Sequence, residues 1–222
     1  AAYMNIPVAH IEGGDVRGTI DESVRHAITK LAHIHFPTNE DSRNRILIMG
    51  EHPDYVFNVG CPGLEFVEKH KKEISNSMLN EQGVGDEIDL DKPYLLVMHH
   101  PVTSEIVDNR ANTIEVLEAV RASGMQAIWF WPNVDAGTDE VSRAIRSFRE
   151  INNPKKMRFL KFIPAEEFTA LLDGCLCLVG NSSAGIKEAS FLGVPSVNIG
   201  TRQKGRRQGE SVISVVYDQN QI

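Results

Sequence analysis

The apolar run at 175–179 stops at Gly180 and gives way to the small residues Asn181, Ser182, Ser183, Ala184 and Gly185. A second apolar stretch follows at 186–192 and closes on Gly193. This order reads as a buried strand, a tight turn and a helix, the repeating junction of a parallel α/β sheet. The same junction can hold an anion. The first N–H groups of a helix have no partner inside it, and the helix dipole is positive there. Ser182 and Ser183 either add hydroxyl donors to such a site or cap the helix. Glu188, one helical turn on, suits a pair of sugar hydroxyls, because a carboxylate accepts two hydrogen bonds at once. After the next strand, at 194–199, comes a polar loop with glycines at 200, 205 and 209. It carries the cations Arg202, Lys204, Arg206 and Arg207.

The rest of the chain keeps this alternation. Strands are expected at 6–11, 34–38, 55–59, 94–98, 126–131 and 158–162. Helices are expected at 21–32, 40–49, 64–79, 112–123, 138–150 and 165–172, with Thr19 or Asp21 near the first cap. The polar loop 80–92 is expected to be mobile. Gly60, Cys61, Pro62 and Gly63 punctuate the chain, so the domain boundary is placed there: 1–61 is the C-terminal part of one Rossmann-like domain and 62–222 is a second. The first part offers about three strands, below the usual sheet size. The chain reads as a fragment that starts inside an alternation and ends just after a strand.

Composition limits the partners. The 222 residues carry a formal charge of -7, which argues against a general nucleic-acid or membrane binder. The sequence has no apolar run long enough to span a bilayer and no signal-peptide pattern at Ala1. The three cysteines, Cys61, Cys175 and Cys177, form no metal or disulfide pattern, which fits a reducing cytoplasm. Cys175 and Cys177, two apart in the expected strand, should share a core face.

Three further clusters carry chemistry. Glu12 follows a strand and precedes the paired glycines Gly13 and Gly14, and Asp21 and Glu22 open the next helix. The two glycines let the loop fold back and bring two carboxylates to one pocket for proton transfer; the alternatives are a solvent-facing Glu12 and an N-capping Asp21. Arg25 is expected to pair with an acid of that loop, and His26 and His33 to share a helix face as packing residues. His99 and His100 end the strand at 94–98, one turned inward and the other toward a cleft, with His100 the functional one. Its imidazolium would stabilise a departing phosphate, or its neutral ring would donate a hydrogen bond. No carboxylate or third ligand lies near enough in sequence to suggest a metal site. Asn133 and Asp135 follow the next strand and either bind hydroxyls or form an Asx turn and cap. Polar residues thus recur at three strand ends, where open parallel sheets bind ligands.

Taken together, the motifs resemble the UDP-N-acetylglucosamine 2-epimerase family, closest to its hydrolysing, N-acetylmannosamine-forming branch. The resemblance is carried by His10-Ile11-Glu12-Gly13-Gly14, by 18–32, by His100-Pro101-Val102-Thr103, by Pro132 to Gly137, by Gly180-Asn181-Ser182-Ser183 and by Gly200-Thr201-Arg202-Gln203. Gly13 and the short loop after it favour the hydrolysing branch. The resemblance implies two Rossmann-like domains of glycosyltransferase-B type, with the active site between them and the first domain truncated at its N-terminus. The family's phosphate-binding arginine motif, a further catalytic aspartate and the closing C-terminal helix are absent from this sequence.

Carried over by position, Glu12, Asp21 and His100 match catalytic residues, His100 lying near the diphosphate. Ser182, Ser183 and Arg202 match diphosphate contacts, Glu188 the ribose-binding acid and Asn133 a substrate loop. The implied substrate is UDP-GlcNAc or a related UDP-sugar such as a diacetamido sugar, with no cofactor and no metal. The implied assembly is a homodimer or homotetramer in the cytoplasm, serving sialic acid-type sugar biosynthesis. The alternatives are a non-hydrolysing epimerase, a retaining glycosyltransferase-B enzyme, or an inactive UDP-sugar-binding fragment.

Overall fold

A computed structural model describes residues 1–16 and 20–222. The chain divides into two compact units. The first comprises Ala1–Glu65 with Lys204–Arg206, and the second Phe66–Gln203 with Arg207–Ile222.

The first unit runs β1 (Ala9–Ile11), α1 (Ile20–Leu31), β2 (Ile34–Phe36), α2 (Glu40–Ile48) and the start of α3 (Pro62–Lys69). β1 and β2 pair in parallel, His10 opposite His35. α1 has Asp21 and Glu22 in its first turn and Lys30 in its last, each favourable to the helix dipole. Thr19, one of the two expected caps, lies outside the described residues. Asn39 caps α2, its Oδ1 accepting the Ser42 N–H at 2.8 Å. The expected strand at 55–59 shrinks to one parallel bridge between His35 and Val56. Pro53, which fixes its own φ and has no N–H, starts a 3₁₀ turn over Pro53–Tyr55 instead. His33 lies beyond the end of α1, so it shares no helix face with His26; its Nδ1 accepts the Val8 N–H at 3.2 Å.

The second unit continues through α4 (Asn76–Asn80), β3 (Val84–Gly85), β4 (Tyr94–Met98), α5 (Asn109–Ala122), β5 (Gln126–Phe130) and α6 (Thr138–Asn152). It then runs β6 (Met157–Leu160), α7 (Ala165–Gly174), β7 (Cys177–Gly180), α8 (Glu188–Leu192), β8 (Ser196–Ile199) and β9 (Val212–Val215). The sheet order is β3-β6-β5-β4-β7-β8-β9, with β3 antiparallel to β6 and every other pairing parallel. Counting the parallel strands by their place in the chain, the order is third, second, first, fourth, fifth, sixth. That is the doubly wound arrangement, which reverses direction between β4 and β7.

Both faces of this sheet are buried. Leu96, Ile128, Leu160 and Leu178 pack with Leu171, Leu172 and Val194 on one side. Leu95, Val97, Trp129 and Val179 pack with Leu117, Ile145 and Phe148 on the other. Alternate residues of each strand supply the two cores, which is why β4 and β5 read as unbroken apolar runs.

Three expectations are corrected here. The helix expected at 64–79 is two helices, because the intervening segment is drawn onto α7. Lys72 donates its backbone N–H to Glu166 and its Nζ lies 3.5 Å from Glu167, while Lys71 pairs with Asp173. Ser75 then caps α4 through the Met78 N–H. The loop expected to be mobile at 80–92 contains β3 and is tied down by the buried Arg158. Its guanidinium donates to the carbonyls of Leu79, Asn80, Gln82, Gly85 and Asp86. Cys175 and Cys177 do not share a face. Cys175 ends α7 and enters one core, whereas Cys177 opens β7 and packs against the other.

Candidate active site

In the second unit, the site grows from the point where β4 and β7 part. Gly180 ends β7 at φ +141° with its backbone against β4; a Cβ there would lie 2.1 Å from the Met98 carbonyl oxygen. This close approach delivers Asn181, which is fully buried, beside the end of β4. The Asn181 amide then bonds both ways with the backbone of His100. Its Oδ1 accepts the His100 N–H and its Nδ2 donates to the His100 carbonyl, each at 2.8 Å. The Asn181 carbonyl accepts from Gln203 Nε2 at 2.7 Å and from the Arg202 guanidinium at 3.3 Å.

These contacts belong to a closed ring. His100 Nδ1 accepts the Asn133 N–H at 3.2 Å. Asn133 Nδ2 donates to Asp135 Oδ2 at 2.5 Å. Asp135 Oδ2 faces Arg202 at 3.4 Å, and Arg202 returns to Asn181. The loops after β4, β5, β7 and β8 are thereby locked together at the sheet's carboxyl edge. Because Nδ1 is used as an acceptor, the neutral His100 ring carries its proton on Nε2 and presents a hydrogen-bond donor.

Of the adjacent histidines, His99 turns inward and is 1 % exposed. It stands edge-on to Tyr217 with ring centroids 5.8 Å apart. Neither His99 nitrogen has a hydrogen-bond partner among the described residues. Burial, and then the charges of His100 and Arg202, push its pKa down to about 3. His100 instead lines a cavity of about 380 Å³ with Met98, Phe130, Trp131, Asn133 and Phe168. The lining is largely apolar, with His100, Asn133 and Lys161 as its polar members.

Ser182 and Ser183 follow Asn181 directly. Ser182 caps a 3₁₀ turn, Ser183–Gly185, accepting the Ala184 N–H at 3.3 Å. The helix expected from 186 begins two residues later, with Glu188 as its first residue, half-buried. Ser182 thus caps the 3₁₀ turn and not the helix, whose N-cap position is held by Lys187. Arg202 is 2 % exposed and shares its charge with Asp135, so it is held in the wall of the crevice.

Glu12 and Asp21 lie in the first unit. Glu12 sits just past β1 at φ +60°, its N–H donating to the Phe36 carbonyl at 3.0 Å. Its Oε1 is 3.3 Å from Cys61 Sγ. Asp21 occupies the first turn of α1 and is half-buried. Arg25 pairs with Asp15 of the loop at 4.0 Å, as expected, and Arg206 joins the same carboxylate. His10 is held neutral-ward, its pKa lowered by burial and then by His35 and Arg25. Asn181, Gln203 and Cys61 were assigned no role from sequence. For Asn181 the signal was present, since it falls inside a strand-end motif.

Among the described residues, no group of three or more His, Cys, Asp or Glu is placed to hold a metal ion, and no helix is long and apolar enough to cross a membrane.

A doubly wound sheet with a locked polar rim at its reversal point defines an α/β protein of the glycosyltransferase-B class. The structure of Neisseria meningitidis UDP-GlcNAc 2-epimerase bound to UDP-GlcNAc superposes with a TM-score of 0.72 at 18% identity, covering 99% of this chain and 60% of that one. The family profile described as UDP-N-acetylglucosamine 2-epimerase matches residues 1–222, and the chain belongs to that family. Among its relatives, the Legionella pneumophila UDP-N,N'-diacetylbacillosamine 2-epimerase (hydrolyzing) is 36% identical, across 98% of this chain and 56% of its own length. The Neisseria meningitidis serogroup B UDP-N-acetylglucosamine 2-epimerase is also 36% identical, across 97% of this chain and 55% of its own length. The chain thus spans about half the length of the curated relatives it matches.

Proposed function

We propose that this chain serves a hydrolysing UDP-GlcNAc 2-epimerase, which converts UDP-GlcNAc and water to N-acetylmannosamine and UDP. The observation that carries the reading is the closed ring of His100, Asn133, Asp135, Arg202 and Asn181 at the reversal point of the sheet. Fixed donors cost no reorganisation when negative charge develops on a leaving diphosphate. His100 Nε2–H and the turn at Ser182 and Ser183 supply donors, Arg202 supplies positive charge, and Glu188 takes the ribose hydroxyls.

In the first half of the reaction, a carboxylate takes the proton from carbon 2 as the bond from carbon 1 to the UDP oxygen breaks, leaving a carbon 1–carbon 2 double bond. In the second, water adds its oxygen to carbon 1 while carbon 2 is protonated from the opposite face. Glu12 and Asp21 are the acid/base pair this requires, each such group being worth roughly 10²–10⁴-fold. Three free cysteines suit the reducing cytoplasm, and the product feeds sialic acid-type sugar synthesis.

The test is product analysis on the full-length protein in deuterated water. The expected result is free N-acetylmannosamine carrying deuterium at carbon 2. Release of UDP-N-acetylmannosamine would point to the non-hydrolysing reaction, and retention of the carbon 2 hydrogen with transfer to an acceptor to a glycosyltransferase. The Legionella relative's name makes a diacetamido UDP-sugar the comparison substrate, and the ratio of kcat/KM values identifies the preferred one.

A further inference from the structure

The Glu12 loop is fixed from several sides. Glu12 holds a left-handed backbone, φ +60°, which side-chain-bearing residues seldom adopt. Gly13 lies directly over His10 and Thr29; a Cβ there would come within 2.8 Å of His10 Nδ1 and 3.2 Å of Thr29 Oγ1. Those two side chains are themselves hydrogen-bonded at 3.1 Å. Gly14 lies against α2, where a Cβ would meet the Ser42 carbonyl oxygen at 2.3 Å, and its own carbonyl accepts from Arg45. The backbone on either side of Glu12 is therefore held, and the orientation of its carboxylate depends on what the side chain touches.

Cys61 makes one such contact. Its Sγ lies 3.3 Å from Glu12 Oε1, within reach of an S–H···O bond. Cys61 is fixed in turn: its carbonyl accepts the N–H groups of Leu64 and Glu65 at 3.1 and 3.2 Å in the first turn of α3. We propose that Cys61 is a positioning residue for Glu12, its thiol donating to Oε1 so that the carboxylate meets the carbon 2 proton in one orientation. Cys61 acts through Glu12 and does not touch the sugar. This inference rests on the proposed function, in which Glu12 exchanges that proton.

The experiment compares wild type, Cys61→Ala, Cys61→Ser, Glu12→Gln and the double variant Cys61→Ala/Glu12→Gln in the full-length protein, following N-acetylmannosamine release and UDP affinity by calorimetry. Loss of one hydrogen bond from a weak S–H donor predicts a fall in kcat of about three- to tenfold in Cys61→Ala, with KM unchanged. Cys61→Ser, which keeps a donor, restores kcat to within about twofold of wild type. In the Glu12→Gln background the alanine change has no further effect. Wild-type kcat in Cys61→Ala, a serine variant no better than the alanine one, or an added loss in the double variant would each overturn the proposal. So would a parallel loss of UDP affinity, which marks a general folding defect. A wild-type protein that releases no N-acetylmannosamine, or an active Glu12→Gln variant, would instead sink the functional reading itself.

Discussion

Asn181→Ala removes the residue on which four loops converge. Its side chain makes two bonds of 2.8 Å to the backbone of His100, and its carbonyl gathers Arg202 and Gln203. Alanine keeps the carbonyl and loses both bonds to His100, along with a long 3.5 Å bond from Nδ2 to the Tyr217 hydroxyl. Each such bond contributes about 0.5–1.5 kcal/mol, and a polar group orphaned in the interior costs about 1–3 kcal/mol. His100 is half-buried, so water recovers part of this loss and the low end of each range applies. The expected cost is about 2–3 kcal/mol, a large share of a domain's usual stability.

Urea unfolding followed by tryptophan fluorescence measures this well. Trp129 and Trp131, the two tryptophans of the chain, both sit in the second unit, so the signal reports the unit that is perturbed. With a urea slope of about 1–3 kcal/mol/M, the midpoint should fall by about 1–2 M. UDP affinity should fall as well, since the ring that fixes His100 is opened. Asn198→Ala is the comparison. That buried residue gives up one side-chain bond, 3.0 Å to Ser214, and should cost less. A midpoint within about 0.3 M of wild type for Asn181→Ala, or a larger loss for Asn198→Ala, would show that Asn181 is not the hub described.

His99 predicts a pH dependence. Its folded pKa, about 3, lies below the ordinary 6.5, so the unfolded chain binds the extra proton first. Its contribution is complete above pH 6.5 and drains away as pH falls from there toward 3, by about 1.4 kcal/mol per pH unit. His99→Gln should lose less stability than wild type between pH 7 and pH 5 in urea melts; parallel losses would contradict the assignment. At Gly180, alanine combines an unfavourable φ of +141° with a Cβ 2.1 Å from the Met98 oxygen. The expected cost is about 2–5 kcal/mol. Gly193→Ala, at φ +73° with open space around it, should cost about 1–2 kcal/mol. Equal melting temperatures for the two variants would refute the close-packing argument.

The sequence by itself determined the alternation of strands and helices, because strands buried on both faces are apolar throughout. Tyr94–Met98 is bounded the same way by sequence and by structure. It also pointed to the strand ends where polar residues gather, and to His100 over His99, because neighbouring residues of a strand face opposite ways. Local order failed where distant contacts outweighed it: α7 drew Lys71 and Lys72 away from a continuous helix, and Arg158 gathered the carbonyls of the loop expected to move. Only the tertiary structure decided that Asn181 closes a ring through His100, Asn133, Asp135 and Arg202, and that Cys61 reaches Glu12 across 49 positions of chain. Periodicity records which way a side chain faces relative to its own element. Which group it meets there depends on strand order and on crossings between distant segments, and no local pattern encodes those.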